Sequence, residues 1–157
     1  MTKEEITIVP YINEYKEHIK ALNYEWLEKY FFIEPGDVEQ LTDPQHYIID
    51  KGGHIYFAKY RDQIVGTSSL MKTGINEYEL AKMAVTEKYK GQGIGQMLLE
   101  HCLAEAIKLN AIKLSLFSNT KLQSAIHLYK KFGFTESALP TDVHYERADV
   151  MMEKYLY

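Results

Sequence analysis

The chain has a single cysteine, Cys102, in 157 residues, so no internal disulfide can form and a reducing compartment is expected. No apolar run approaches the roughly 20 residues that span a bilayer. The N-terminus, Met1-Thr2-Lys3-Glu4-Glu5, is charged from the start and lacks the apolar core of a secretory signal. These readings predict a soluble, cytoplasmic protein with no membrane partner. Basic excess is missing too. The net charge of −4 argues against a general nucleic-acid binder, which carries a basic face. There is no His-Glu-x-x-His, and the six histidines (His18, His46, His54, His101, His127 and His144) have no metal-ligand spacing, so no metal is expected. Linkers, repeats and low-complexity stretches are absent as well, so residues 1–157 read as one domain.

What is present is an ordinary packed protein, 46% hydrophobic and 25% charged. Thirteen tyrosines either line a groove or, more simply, pack at the core edge. Ile6, Ile8 and Val9 suggest a first strand closed by Pro10. Ile12, Tyr15, Ile19, Leu22 and Trp26 recur in steps of three and four and predict a helix from Tyr11 to about Lys29. Tyr30, Phe31, Phe32 and Ile33 follow, either as core or as the wall of a substrate groove. Asp37 and Gln40 have capping-box spacing and predict a short helix starting there. Residues 45–50 read as a further turn. Strands are predicted over 55–60 and 64–71, joined by a tight turn at 61–63, and over 77–85 after a loop at 72–76. A helix after Gly95 carries Leu98, Leu99, Cys102, Leu103, Ala106 and Ile107 on one stripe and ends at Asn110, so Cys102 reads as a core residue. Residues 112–117 are a buried strand. Thr120 and Gln123 have capping-box spacing before a helix that ends at Gly133. Two strands follow, one from Phe134 and one over 150–156. The order predicts an α/β (α+β) fold: a mixed, mainly antiparallel sheet of about seven strands with helices on both faces.

The stretch that carries chemistry is 80–99. An apolar strand runs into Lys90-Gly91-Gln92-Gly93-Ile94-Gly95 and then directly into a helix. Glycines at alternate positions let the backbone bend and approach a ligand closely. The first helical N–H groups have no partners and carry the positive end of the helix dipole, an arrangement suited to phosphate. Two better-known glycine loops are excluded. Gln96 stands where the dinucleotide fingerprint needs its third Gly, and the chain has no Gly-Lys-Ser/Thr.

The stretch resembles the acetyl-CoA signature of the GNAT family of N-acetyltransferases: Arg or Gln, two residues, Gly, one residue, Gly or Ala. Lys90 departs from the first position, keeping the charge but losing the planar fork. A second match lies in 119–134, which resembles the family's Ala-x-x-Leu-Tyr-x-x-x-Gly-Phe through Ala125, Leu128, Tyr129, Gly133 and Phe134. Leu122 departs again, standing where many members carry a cofactor-contacting Asn, so that contact is missing or falls to Asn119 or Lys121. The order of elements also matches the family, so the resemblance covers the chain.

The resemblance implies acetyl-CoA (coenzyme A) as cofactor, held by the backbone of Met83, Ala84 and Val85 and by Lys90, Gly91, Gln92, Gly93, Ile94, Gly95 and Gln96. It implies a donor to the thioester oxygen in the backbone around Ala84. It implies Tyr129 as the acid for the departing thiolate, against the alternative of helix packing, and Glu79 as the base, against that of a surface strand charge. An alkylammonium of pKa ~10.4 must lose a proton before it attacks, and the sulfur must gain one. Glu77 shares the face of Glu79 two residues away along the strand. Lys88, Lys90, Lys121, Lys130 and Lys131 either neutralise cofactor phosphates or form a solvated face. Tyr30, Phe31, Phe32 and Glu77 are the candidate acceptor contacts, and 138–147 is the other variable segment. The acceptor expected is an amine of a small molecule or peptide, drawn by Glu77, Glu79, Asp142 and Glu146, and acylated directly in a ternary complex by a monomer or homodimer. The rivals are a non-catalytic acyl-CoA-binding or sensing module on the same fold and a small nucleotide-binding protein.

Overall fold

The computed structural model describes residues 2–143 and 145–156, with the backbone alone for Lys3; His144 lies outside the described residues. Seven strands form one sheet in the order β1-β2-β3-β4-β5-β7-β6. They are β1 (Ile6–Pro10), β2 (His54–Tyr60), β3 (Gln63–Gly74), β4 (Glu77–Val85), β5 (Lys113–Ser118), β6 (Thr135–Ser137) and β7 (Val150–Tyr155). Every neighbouring pair is antiparallel except β4 and β5. The helices are α1 (Lys16–Tyr30), α2 (Pro35–Thr42), α3 (Ile94–Lys108) and α4 (Gln123–Lys131).

Both faces of the sheet are covered, so β2 is buried on both. Ile55 and Phe57 pack with Ile19 and Leu27 of α1 and Leu41 of α2. Tyr56, between them in sequence, packs with Leu99 and Cys102 of α3 and with Ile126 and Tyr129 of α4. The order of elements read from the sequence is the order observed; four local readings are corrected, and the turn expected over 45–50 is refined. Helix α1 begins at Lys16, after a 3₁₀ turn over Asn13–Tyr15, because Tyr11 still donates its N–H to Ile55 as a continuation of β1. Helix α2 begins at Pro35, and its cap pairs Glu34 with Asp37: the Asp37 carboxylate accepts the Glu34 N–H at 2.9 Å, and Pro35 has no N–H to leave unpaired. Residues Gln45–Ile49 form a π-helical turn. Strand β3 continues through the expected loop to Gly74. Thr120 does not cap α4, because Asp149 accepts from both its N–H and its hydroxyl at 2.9 Å, and the helix starts three residues later at Gln123. Asn110 does end α3: it takes a left-handed φ of 59°, with its own N–H on Ile107 and that of Ala111 on Ala106.

Strand β4 carries the irregularity that shapes the molecule. Thr67 pairs with Ala84 and Ser69 with Ala81, so Lys82 and Met83 face one residue of β3. Lys82 has φ of 56°. This bulge reverses which side chains face α3. Before it Tyr78 and Leu80 join the α3 core, and after it Met83 and Val85 do. Lys82 itself turns to the α1–α2 face. Asn23 of α1 holds the bulge by donating to the Lys82 carbonyl at 3.3 Å and to Ile19 at 2.9 Å, while accepting the Trp26 indole N–H at 3.2 Å.

A buried ionic network ties α2 to β4 and to the segment before β7. Arg147 grips both oxygens of Asp37 at 2.7 Å and reaches Glu34 at 3.1 Å. Lys82 Nζ lies 3.4 Å from Asp37 and donates to the Tyr145 hydroxyl at 2.9 Å. Tyr145 in turn donates to Gln40. Burial alone raises the Asp37 pKa, but the Arg147 bonds, the Glu34 N–H and the Lys82 charge outweigh it and hold the carboxyl below its ordinary value. A depressed pKa adds stability that is present above the unfolded value and lost as pH falls through the folded one. Removing Arg147 takes away the largest of the lowering contacts, so less of that stability remains. Arg147→Met is therefore expected to cost about 3 kcal/mol at neutral pH, with the loss shrinking as pH enters the carboxylate range. Urea unfolding of wild type and variant across pH checks this.

Candidate active site

Strands β4 and β5 pair over three residues only, Glu77 with Lys113, Tyr78 with Leu114 and Glu79 with Ser115. Beyond Glu79 they part, and a cleft of about 450 Å³ opens between them. One wall is β4 from Glu79 to Val85 with Gly91, Gly93, Ile94 and Gly95; the other is Phe117, Ser118, Asn119 and the inner face of α4.

The N–H groups of β4 follow from its pairing. Thr86 donates to Val65 at 3.0 Å, so the alternation of the strand directs the Ala84 N–H to β3 as well. The donors that face the gap are those of Met83 and Val85. Around Ala84 the donors toward the gap are thus those of its two neighbours, while its own N–H belongs to the β3 ladder. A strand edge with donors spaced two residues apart is what an extended ligand pairs with.

The glycine turn closes one end of the gap. Gly91 and Gly93 take φ of 78° and 83°, the left-handed region that favours glycine, and Gly93 caps α3. A Cβ added at Gly91 or Gly95 would meet nothing within 4 Å, so both open onto free space in the cleft. The first N–H groups of α3 lie beside that space with the positive end of the dipole. Donors, bare backbone and space fit a pyrophosphate, and the gap above fits a pantetheine chain.

Tyr129 stands on the α4 wall, 8% exposed, with its ring 5.9 Å from that of Phe134. Burial pushes its pKa up to about 12, so its proton stays on the oxygen. At the other end, the cleft is lined by Asn23, Trp26, Tyr30, Phe31, Asp37, Glu79, Lys82, Tyr145 and Arg147. Burial lowers the Lys82 pKa, with Asp37 pulling it back.

The residues named from sequence divide accordingly. Tyr129, Glu79, Met83, Ala84, Val85, Lys90, Gly91, Gly93, Ile94, Gly95, Asn119, Tyr30 and Phe31 line the cleft. Gln92, Gln96, Lys121, Phe32 and Glu77 do not. Glu77 sits where β4 and β5 still pair and forms an ion pair with Lys113 at 3.1 Å. Phe32 is 55% exposed outside the cleft. Gln96 bonds Glu100, and Lys121 lies over the Phe31 ring. Asn119 spends its amide on the Arg147 carbonyl. Lys90 pairs with Glu87 at 3.0 Å. Cys102 is fully buried beside Ser68, its pKa raised to about 12 by burial, and takes no part in the cleft. Sequence reasoning missed Asn23, Trp26, Asp37 and Lys82, and reached Tyr145 and Arg147 only as part of the 138–147 segment. Only Lys82 left a signal, a lone cation inside an apolar strand. Among the described residues no three His, Cys, Asp or Glu gather as a metal site, and no helix is long and apolar enough to cross a membrane.

Known proteins share this arrangement. Residues 51–136 match a family model described as an acetyltransferase (GNAT) domain. The chain is 30% identical over 119 residues to an uncharacterised N-acetyltransferase of Mycobacterium bovis, covering 74% of this chain and 72% of that one. A GNAT-family acetyltransferase structure from Staphylococcus aureus superimposes with a TM-score of 0.87 at 25% identity, covering 97% of this chain and 99% of that one. The PaiA N-acetyltransferase of Thermoplasma acidophilum, solved in complex with coenzyme A, superimposes with a TM-score of 0.77 at 18% identity, over 96% and 99% of the two chains. With the parted strands, the glycine turn and the tyrosine on the opposite wall, these matches identify the chain as a member of the GNAT family of N-acetyltransferases.

Proposed function

We propose that the protein transfers an acetyl group from acetyl-CoA to an amine of a small molecule or peptide, by direct attack in a ternary complex. The observation that carries this reading is the gap beyond Glu79, where the Met83 and Val85 N–H groups face open space next to the glycine turn. Coenzyme A in the Thermoplasma neighbour of the same fold supports it. Acetyl-CoA supplies an activated thioester, and the remaining work falls to the chain.

The α3 N-terminus and the Gly91–Gly95 backbone would hold the phosphates. Val85 and Met83 would pair with the pantetheine, and the donor nearer the bulge would meet the oxygen on which charge develops. Glu79, on the cleft wall, would take the proton of the acceptor ammonium directly or through water. Tyr129 would face the departing sulfur. With its pKa near 12 it is a poor proton donor to a thiolate of ordinary pKa ~8.5. Its main role is then a hydrogen bond to the sulfur as the C–S bond breaks, the thiolate taking its proton from solvent as coenzyme A leaves. Among the described residues the cleft offers no cysteine nucleophile, because Cys102 lies outside it, fully buried and with its pKa raised. That favours direct transfer over a covalent acetyl-enzyme.

Two substitutions test this reading. Gly95 sits in the first turn of α3, and a side chain there meets only cleft space. Gly95→Asp should leave the fold as stable or slightly more so, since it removes a helical glycine and adds an N-terminal carboxylate. It should weaken acetyl-CoA binding roughly 100-fold or more, because the carboxylate meets the pyrophosphate. Calorimetric titration together with thermal unfolding gives both results, and unchanged affinity in a folded variant would exclude the site. Tyr129→Phe keeps the packing, removes the hydrogen bond to the sulfur, and should lower kcat by about 10²-fold with little change in acetyl-CoA affinity. Thiol-release kinetics under chemistry-limited conditions measure this, and an unchanged kcat would reduce Tyr129 to a core residue.

A further inference from the structure

Lys82 is buried where a lysine is costly. Its side chain is 6% exposed, yet it lines the cleft. The ammonium has three protons to donate. One goes to the Tyr145 hydroxyl at 2.9 Å. The second meets Asp37 at only 3.4 Å, a long contact for opposite charges. Asp37 is shared: Arg147 holds both its oxygens at 2.7 Å and the Glu34 N–H a third lone pair at 2.9 Å, which leaves Lys82 the fourth. The Tyr145 ring, 4.6 Å from Nζ, adds a cation–π contact but no acceptor atom. Among the described residues Lys82 is thus a buried cation one hydrogen-bond acceptor short, with Asp37 and Glu79 the carboxylates that act on its charge. Nor is its place accidental. Without the bulge its side chain would follow Leu80 into the α3 core; the left-handed φ of 56° turns it to the α2 face, on the same cleft as Glu79.

We propose that the acceptor supplies the missing acceptor atom: it is an amino acid, whose carboxylate docks on Lys82 Nζ while its amine faces Glu79 and the gap. The proposal rests on the amine-transfer reading above and names the substrate class of the same site. The pairing is complementary in sign, a carboxylate and an ammonium on one wall facing an ammonium and a carboxylate on one small molecule. It also sets orientation. A carboxylate held at the bulge anchors the nitrogen beside the Met83 donor, so a decarboxylated amine loses both binding and alignment.

The experiment compares matched sets with the wild-type chain and acetyl-CoA: phenylalanine, phenylalaninamide and phenethylamine; leucine, leucinamide and isopentylamine; lysine, lysinamide and cadaverine. In at least one set the amino acid should exceed its amide and its decarboxylated amine by roughly 10–100-fold in kcat/KM, the worth of one charge-assisted bond. In Lys82→Met that ratio should collapse toward one, and Lys82→Arg should restore part of it. An amide or amine that matches its amino acid in every set overturns the proposal, as does a ratio left intact in Lys82→Met. The wild-type comparison stands even if the variants fail to fold. If no amine is acetylated, the transfer reading itself has failed. Calorimetry on the coenzyme A-loaded protein then still compares amino acid with amide, and equal affinities overturn the carboxylate site independently.

Discussion

An unpaired backbone donor inside a protein is a liability, and this fold is built around several of them. Parallel strands β4 and β5 hold together for three residues and then separate. The separation leaves the Met83 and Val85 N–H groups without the partners that a continuous sheet would give them. A buried N–H with no acceptor costs about 1–3 kcal/mol. Water in the open cleft satisfies such groups provisionally, and a ligand with amides at strand spacing satisfies them better. In the proposed reading, binding is the completion of a sheet rather than the filling of a hole. The glycine turn and the α3 N-terminus extend the same logic at the end of the strand, where more backbone donors lack partners.

Holding two strands apart demands a brace. On one side it is the α3–α4 core, with Leu99, Cys102, Ile126 and Tyr129 packed against the sheet. On the other side it is electrostatic. Arg147, Asp37, Glu34 and Lys82 link α2, the bulge of β4 and the segment before β7 through buried charges. Replacing one member of such a set strands the others, so the brace is specific as well as strong. Asn23 completes it by binding the carbonyl that the bulge releases. The charges that hold the cleft open also line it, and stability and recognition share the same residues.

Much of this was legible in the residues, and the failures have a common cause. The strand-and-helix order followed from periodicity, and the glycine turn from its spacing, because both are local signals. The cap of α2 was misread because Asp37 looks like a helix start from its neighbours; Arg147, more than a hundred positions away, fixes it as the third residue of a helix that begins at Pro35. Thr120 was misread for the same reason, its capping groups being taken by Asp149. Glu77 and Glu79 are equivalent by strand alternation, and only the end of the β4–β5 pairing places Glu77 beside Lys113 and Glu79 on the cleft wall. The donor's role could be assigned only to the backbone around Ala84, because nothing local reveals which N–H groups β3 occupies. Lys82 is the hardest case, since the bulge that exposes it to the cleft defeats the alternation from which strand faces are read.

The claim on which the rest depends is that the parted edge of β4 receives acetyl-CoA as a strand. Amide hydrogen exchange with and without acetyl-CoA, resolved residue by residue by NMR, tests it directly. The account predicts that the Met83 and Val85 amides exchange freely in the unliganded protein and become strongly protected in the complex, while the Ala84 amide, already in the β3 ladder, is protected in both. Saturating acetyl-CoA that leaves Met83 and Val85 unprotected would contradict it.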